Sequence, residues 1–309
     1  MKSYLIVLIG IITIVLGAMA SVAAIGIHAC LKCDVLLFQE SKIAALPSDV
    51  ETVILGDSSI GYGLDAGVFS ELSHQKTVSL ALTGFNYGIG GAYVLLTEVL
   101  SHARPRNVVI ALSAQTLSVA MWKIKWRPIR GFIQAARRHP QLLFTVNPEV
   151  SWQVTKELGV ELFDKQLFLE GVEYLQGARP TFQDDFVRYD YYPPGNDVVQ
   201  MPKDSTYALE GEPPVDYDVF FAKIARLCKA NGMNCVFMFG PLMQKVVEHS
   251  PMTFASETSQ IERAGIKVIK QSPIRIPEQD QGNSINHIHP RVRAAYTKKA
   301  YDLLADSLR

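Results

Sequence analysis

An excess of charge of either sign is missing from this sequence. Lys and Arg number 30 and Asp and Glu number 30 in a chain of 309 residues. That balance argues against a global nucleic-acid or polyanion binder, so any electrostatic recognition is local. Cysteine is scarce, at 4 residues. Cys30 and Cys33 form a C-x-x-C, and Cys228 and Cys235 flank "KANGMN"; both pairs are close enough in sequence for disulfides. The C-x-x-C has no second ligand pair, so His28, Cys30, Cys33 and Asp34 make a poor zinc site. His287 and His289 form a lone His-x-His that lacks a third fixed ligand, and no metal is expected there. The glycine-rich "GFNYGIGG" lacks the lysine of a phosphate-cradling loop and does not follow the first strand, so neither nucleotide nor dinucleotide binding is expected. No cofactor is implied. Internal repeats and low-complexity tracts are absent too.

What is present begins with a long apolar run. Lys2 precedes "YLIVLIGIITIVLGAMASVAAIGI", about 24 residues without a charge, long enough to cross a bilayer as a helix. Lys2 and the free N-terminus favour a cytoplasmic start, which puts the rest of the chain outside the cytoplasm. Small residues in "AMA" and "SVA" leave a cleaved signal peptide as the alternative. Residues 1–27 are therefore read as a transmembrane anchor or signal peptide, 28–50 as a linker and 51–309 as one folded domain.

From residue 50 onward short apolar strands alternate with amphipathic helices. "VETVILG", "KTVSLAL", "RNVVIALS", "NCVFMFG" and "IKVIK" read as strands. "LDAGVFSELS", "GIGGAYVLLTEVLSHA", "DYDVFFAKIARLCKANG", "ASETSQIERAG" and "PRVRAAYTKKAYDLLADSL" read as helices. This alternation implies β-α-β units, an α/β fold and a three-layer α/β/α sandwich around a mainly parallel sheet. Residues 114–214 or so break the rhythm and read as an inserted subdomain over the carboxyl edge of the sheet, where open α/β sheets bind ligands.

"VILGDSSIGYG" marks the chemistry. Gly56-Asp57-Ser58 follows the first strand, so Ser58 belongs at that carboxyl edge. A nucleophilic serine needs a base, a group that orients the base, and donors for the oxyanion. The base candidates lie in "SINHIHPRVRAAY", between the last strand and the last helix, so the fold returns His287 or His289 toward Ser58. Asn286 or Asp280 would orient the imidazole, and Asp57 would fix the turn. In "WKIKWRPIR", Trp122 and Trp126 alternate with basic residues and suit an anionic polymer or a headgroup surface, while Tyr191 in "YDYYPPG" suits stacking on a sugar.

"ILGDSSIGYG" near the start of the domain and "NHIHP" near its end resemble the first and last blocks of the SGNH/GDSL hydrolase superfamily. The resemblance implies an SGNH-like fold with Ser58 as nucleophile and His289 as base. It implies an oxyanion hole from the backbone of Ser58, from Gly84 and from Gln115, the last standing where the family has asparagine. The family's aspartate, in turn, is replaced by Asn286. The N-terminal helix adds a likeness to the membrane-anchored members that acylate extracytoplasmic polysaccharides beside a membrane-bound O-acyltransferase. The activity expected is serine-dependent O-acyl (acetyl) transfer to an exported or cell-surface polysaccharide, from a single-pass protein of the cytoplasmic membrane with its domain on the periplasmic side. The alternatives are a GDSL-type esterase of carbohydrate or lipid, and a catalytically silent glycan-binding or scaffold module.

Overall fold

A computed structural model describes residues 2–29, 34–82, 88–117, 136–137, 140–144, 148–179, 209 and 217–308. The chain divides into two compact units. One comprises Met1–Leu37 with Ile133–Phe182, the other Phe38–Phe132 with Gln183–Arg309.

The first unit is helical. Helix α1 (Lys2–Ala29) holds the stretch Ile6–Ile27, 22 residues long and apolar enough to cross a membrane. Farther along lie a 3-10 turn (Pro140–Phe144), then helices whose ordinals follow their place in the chain, α7 (Pro148–Glu161) and α8 (Lys165–Leu175). Asp164 caps α8 by accepting from the backbone N–H groups of Gln166 and Leu167. Helix α8 packs along α1.

The second unit carries the sheet. Strands β1 (Thr52–Gly56), β2 (Thr77–Ala81), β3 (Asn107–Leu112), β4 (Asn234–Phe239) and β6 (Lys267–Val268) form a five-stranded parallel sheet in the order β2-β1-β3-β4-β6. The first and third strands, "TVILG" and "NVVIAL", are buried at every residue. Strands covered on both faces read as continuous apolar runs, which is why they were legible. Two-residue strands β5 (Leu242–Met243) and β7 (Arg275–Ile276) pair in parallel as a separate small sheet.

Helices fall into two packed groups. In one, α3 (Ser58–Gly63) and α4 (Ala66–Ser73) meet the last helix, α12 (Arg293–Leu304). In the other, α5 (Gly88–His102) meets α9 (Tyr217–Ala230), and α9 meets α11 (Pro251–Arg263). The short α6 (Ala114–Leu117) follows β3 and packs on α11; α10 (Gln244–His249) completes the set. The core joins Ile54, Val109, Val236 and Met238 of the sheet to Phe69, Tyr296 and Leu304 of the helices.

Three features add to the sequence reading. Residues 34–44, expected within a linker, form helix α2 (Asp34–Ala44), whose Gln39 and Lys42 donate to the Ala81 and Ser79 carbonyls of β2. Within the expected insertion, residues 133–182 group with the N-terminal helix, not with the sheet. Cys228 and Cys235 are free thiols, and the Cys228 thiol, with burial, pushes that of Cys235 up.

At the amino edge of the sheet a polar ladder crosses the strands. The buried Asn107 amide donates to Thr52 Oγ1 at 3.3 Å and to Gln75 Oε1 at 3.1 Å, and accepts from Asn234 Nδ2 at 3.1 Å.

Candidate functional site

Strand order reverses between β1 and β3, and open α/β sheets hold ligands at the carboxyl ends beside such a reversal. The chain leaves β1 through Gly56. A Cβ on Gly56 would stand 2.7 Å from Ile60 Cβ and 2.8 Å from the Ala111 carbonyl oxygen, so only glycine allows so tight a turn into α3.

Asp57 caps α3 and is 1% exposed. Its Oδ1 accepts from the Ser59 N–H at 2.9 Å and the Ser59 hydroxyl at 2.5 Å. Its Oδ2 accepts from the Ser113 N–H at 2.9 Å, the Ser113 hydroxyl at 3.0 Å and Thr116 Oγ1 at 2.5 Å. A buried carboxylate is tolerated only when charge-assisted hydrogen bonds replace its water, and here donors from two strand ends do so. Gly240, after β4, completes the enclosure: a Cβ there would lie 2.2 Å from Ser59 Oγ and 3.2 Å from the Ser113 nitrogen.

This packing explains the two serines in tandem. Asp57 and Ser59 turn inward, whereas Ser58 is the first residue of α3 and stays partly exposed. Its hydroxyl makes no hydrogen bond to another described residue. Tyr62 lies four residues on, hence on the same helical face. The His287 ring stacks on Tyr62, with centroids 4.2 Å apart and planes 28° apart. His287 Nδ1 is 2.8 Å from Asn283 Oδ1. An amide oxygen only accepts, so the proton sits on Nδ1 and Nε2 keeps its lone pair. Burial pushes this imidazole down to about 4, against the opposing pull of the Asp57 carboxylate. It is therefore neutral near pH 7.

His289 is arranged differently. Its Nδ1 accepts from the Arg291 backbone N–H at 3.3 Å, capping the 3-10 turn Pro290–Val292. The neutral ring then carries its proton on Nε2, the wrong tautomer for accepting one there. Neither expected orienting group holds it. Asn286 is spent on Ser113 Oγ through Nδ2 at 3.1 Å, and on the Ser284 hydroxyl, which donates to Oδ1 at 2.8 Å. Asp280 accepts the His289 backbone N–H on its carbonyl at 2.7 Å, while its carboxylate accepts from the Tyr296 hydroxyl at 3.4 Å. Burial first, then that carboxylate, hold the Tyr296 phenol up. Among the described residues, neither the Asn286 side chain nor the Asp280 carboxylate makes a hydrogen bond to the His289 ring.

Gln115 is buried in α6, two residues past Ser113, within the segment that wraps Asp57. Gly84, Trp122, Trp126 and Tyr191 lie outside the described residues. Ser113 and Thr116 were not singled out as parts of a site. Their signal was a pair of hydroxyls straight after an apolar strand. Among the described residues no three His, Cys, Asp or Glu side chains gather closely enough to hold a metal ion.

No protein-family model matches this chain, and no curated protein matches it in sequence.

Proposed function

We propose that the second unit is a serine-dependent acyl-transfer domain of the SGNH type, a three-layer α/β/α sandwich with its site at the carboxyl ends of β1 and β3. The observation that carries this reading is the arrangement around Asp57. Five hydrogen bonds hold that carboxylate inside and leave Ser58 outside, on the helical face that bears Tyr62 and the stacked His287.

Ser58 Oγ attacks the ester carbonyl as its proton passes to Nε2 of His287. Asn283 holds the productive tautomer through Nδ1. The backbone N–H of Ser58 receives the oxyanion, with Gly84 and Gln115 as the further donors the family resemblance implies; each such donor is worth about 3–4 kcal/mol in the transition state. The imidazolium then protonates the leaving oxygen. A sugar hydroxyl resolves the acyl-enzyme, giving O-acyl transfer to an extracytoplasmic polysaccharide; water in its place gives an esterase. Helix α1 anchors the chain in the cytoplasmic membrane, with Lys2 on the cytoplasmic side.

Fluorophosphonate labelling of the full chain tests the chemistry. Labelling is expected in the wild type, absent in Ser58→Ala, strongly reduced in His287→Gln and retained in His289→Gln. A folded wild type that takes no label overturns the reading. One observation favours a silent glycan-binding module in that event: the partner of His287 is an amide, which fixes a tautomer but does not stabilise imidazolium as a carboxylate does.

A further inference from the structure

Helices α1 and α8 meet backbone to backbone. A Cβ on Gly26 would lie 2.0 Å from the Leu167 carbonyl oxygen, and one on Gly171 2.0 Å from the Val22 carbonyl oxygen. Glycines permit this approach, as they do between membrane helices. Gly26 neighbours Leu167 and Gly171, and Val22 neighbours Gly171, so the helices run antiparallel. The contact falls at the carboxyl end of the apolar stretch Ile6–Ile27. The start of α8 therefore lies level with the end of that stretch.

Helix α7 reaches this level through Leu162, Phe163 and Asp164. Trp152, Lys156 and Val160 follow one another at i, i+4 and i+8 as one stripe along α7, and Phe163 lies in the turn just past its end. Trp152, Val160 and Phe163 are 62%, 70% and 66% exposed, while Val154, on the opposite side of the helix, is fully buried. The Lys156 ammonium stands 5.9 Å from the Trp152 ring centroid. Tryptophan and lysine beside exposed aliphatic and aromatic side chains have the composition of a surface that lies at the headgroup boundary.

We propose that the Trp152–Phe163 stripe rests on the bilayer that α1 crosses, making α7 an interfacial helix. This rests on the reading of α1 as a membrane anchor. The lipid is favoured as the occupant because the stripe leads directly into a helix clamped to the end of that span. The stripe sets the depth and tilt at which the helical unit sits on the membrane.

The test uses the full chain in phosphatidylcholine–phosphatidylglycerol vesicles, with Trp122→Phe and Trp126→Phe leaving Trp152 as the one fluorophore of its type. Subtracting the signal of Trp152→Phe from that of the wild type gives the same readout with the other tryptophans in place. Lipids brominated high on the acyl chain are expected to quench Trp152 several-fold more than aqueous iodide does. Quenching by iodide alone, in vesicles that keep the protein through an alkaline carbonate wash, overturns the proposal and leaves the anchor standing. Shielding from both quenchers also overturns it, in favour of a protein partner or a second copy. Release by the carbonate wash overturns the anchor, and the proposal with it.

Discussion

Asn286 donates its side-chain amide to the Ser113 hydroxyl at 3.1 Å, joining two residues 173 positions apart. The Ser113 hydroxyl in turn donates to Asp57 Oδ2. The loop that carries both candidate histidines is thus tied to the end of β3, and through it to the turn that bears Ser58.

Asn286→Asp supplies the aspartate that the SGNH resemblance implies, yet a gain of activity is not expected. The new carboxylate would face a hydroxyl whose hydrogen is already committed to Asp57. It loses a donor and adds a like charge beside a buried one, at a cost of about 1–3 kcal/mol. Urea unfolding should show this loss at pH 7.5 and a smaller one at pH 4, where the new group is protonated.

Gly240→Ala separates packing from chemistry. Its methyl group would collide with Ser59 Oγ and crowd the Ser113 nitrogen. The enclosure of Asp57 must then open, destabilising the fold by about 1–3 kcal/mol. Thermal unfolding reads the cost, and fluorophosphonate labelling of the folded fraction should fall with it.

His287 predicts a pH dependence of stability. Its folded value of about 4 lies below the ordinary 6.5, so the unfolded chain takes up the proton first. The stability of the neutral, buried ring is fully present above 6.5 and is lost as pH falls toward 4. His287→Gln should flatten the fall in unfolding midpoint between pH 7 and pH 4.5.

Glu257 in α11 predicts the opposite slope. It is 1% exposed, and neither carboxyl oxygen has a hydrogen-bond partner among the described residues. Burial raises it well above its ordinary 4.5, so its contribution is intact below that value and is lost as pH rises. Glu257→Met should stabilise the chain by about 1–3 kcal/mol at pH 7.5 and by less at pH 4.

The sheet was legible because "TVILG" and "NVVIAL" have no other use than burial; the strand order was not, since sequence periodicity carries no lateral neighbours. The position of Ser58 at the end of β1 was legible from its place after the first strand. The turn there was legible, but not that Asp57 caps a helix that begins at once. The different settings of His287 and His289 arise only in three dimensions. One ring finds Tyr62 and Asn283, the other finds a backbone N–H of its own turn. Helix α2 is short, and "DVLLFQESKIA" packs its Gln39 and Lys42 onto β2, a contact that the sequence does not show.

The Asn107 ladder at one end of the sheet and the Asp57 cluster at the other have a joint consequence for assembly. Both span β1 and β3, and each is satisfied only when Thr52 lies opposite Asn107 and Gly56 opposite Ala111. A slip by one residue would bury an orphaned amide at one edge and an unsolvated carboxylate at the other. Apolar strands as uniform as these would slide past one another with little loss of contact. The polar groups at their two ends act as detents, so that a mispaired sheet is rejected before the fold ever closes.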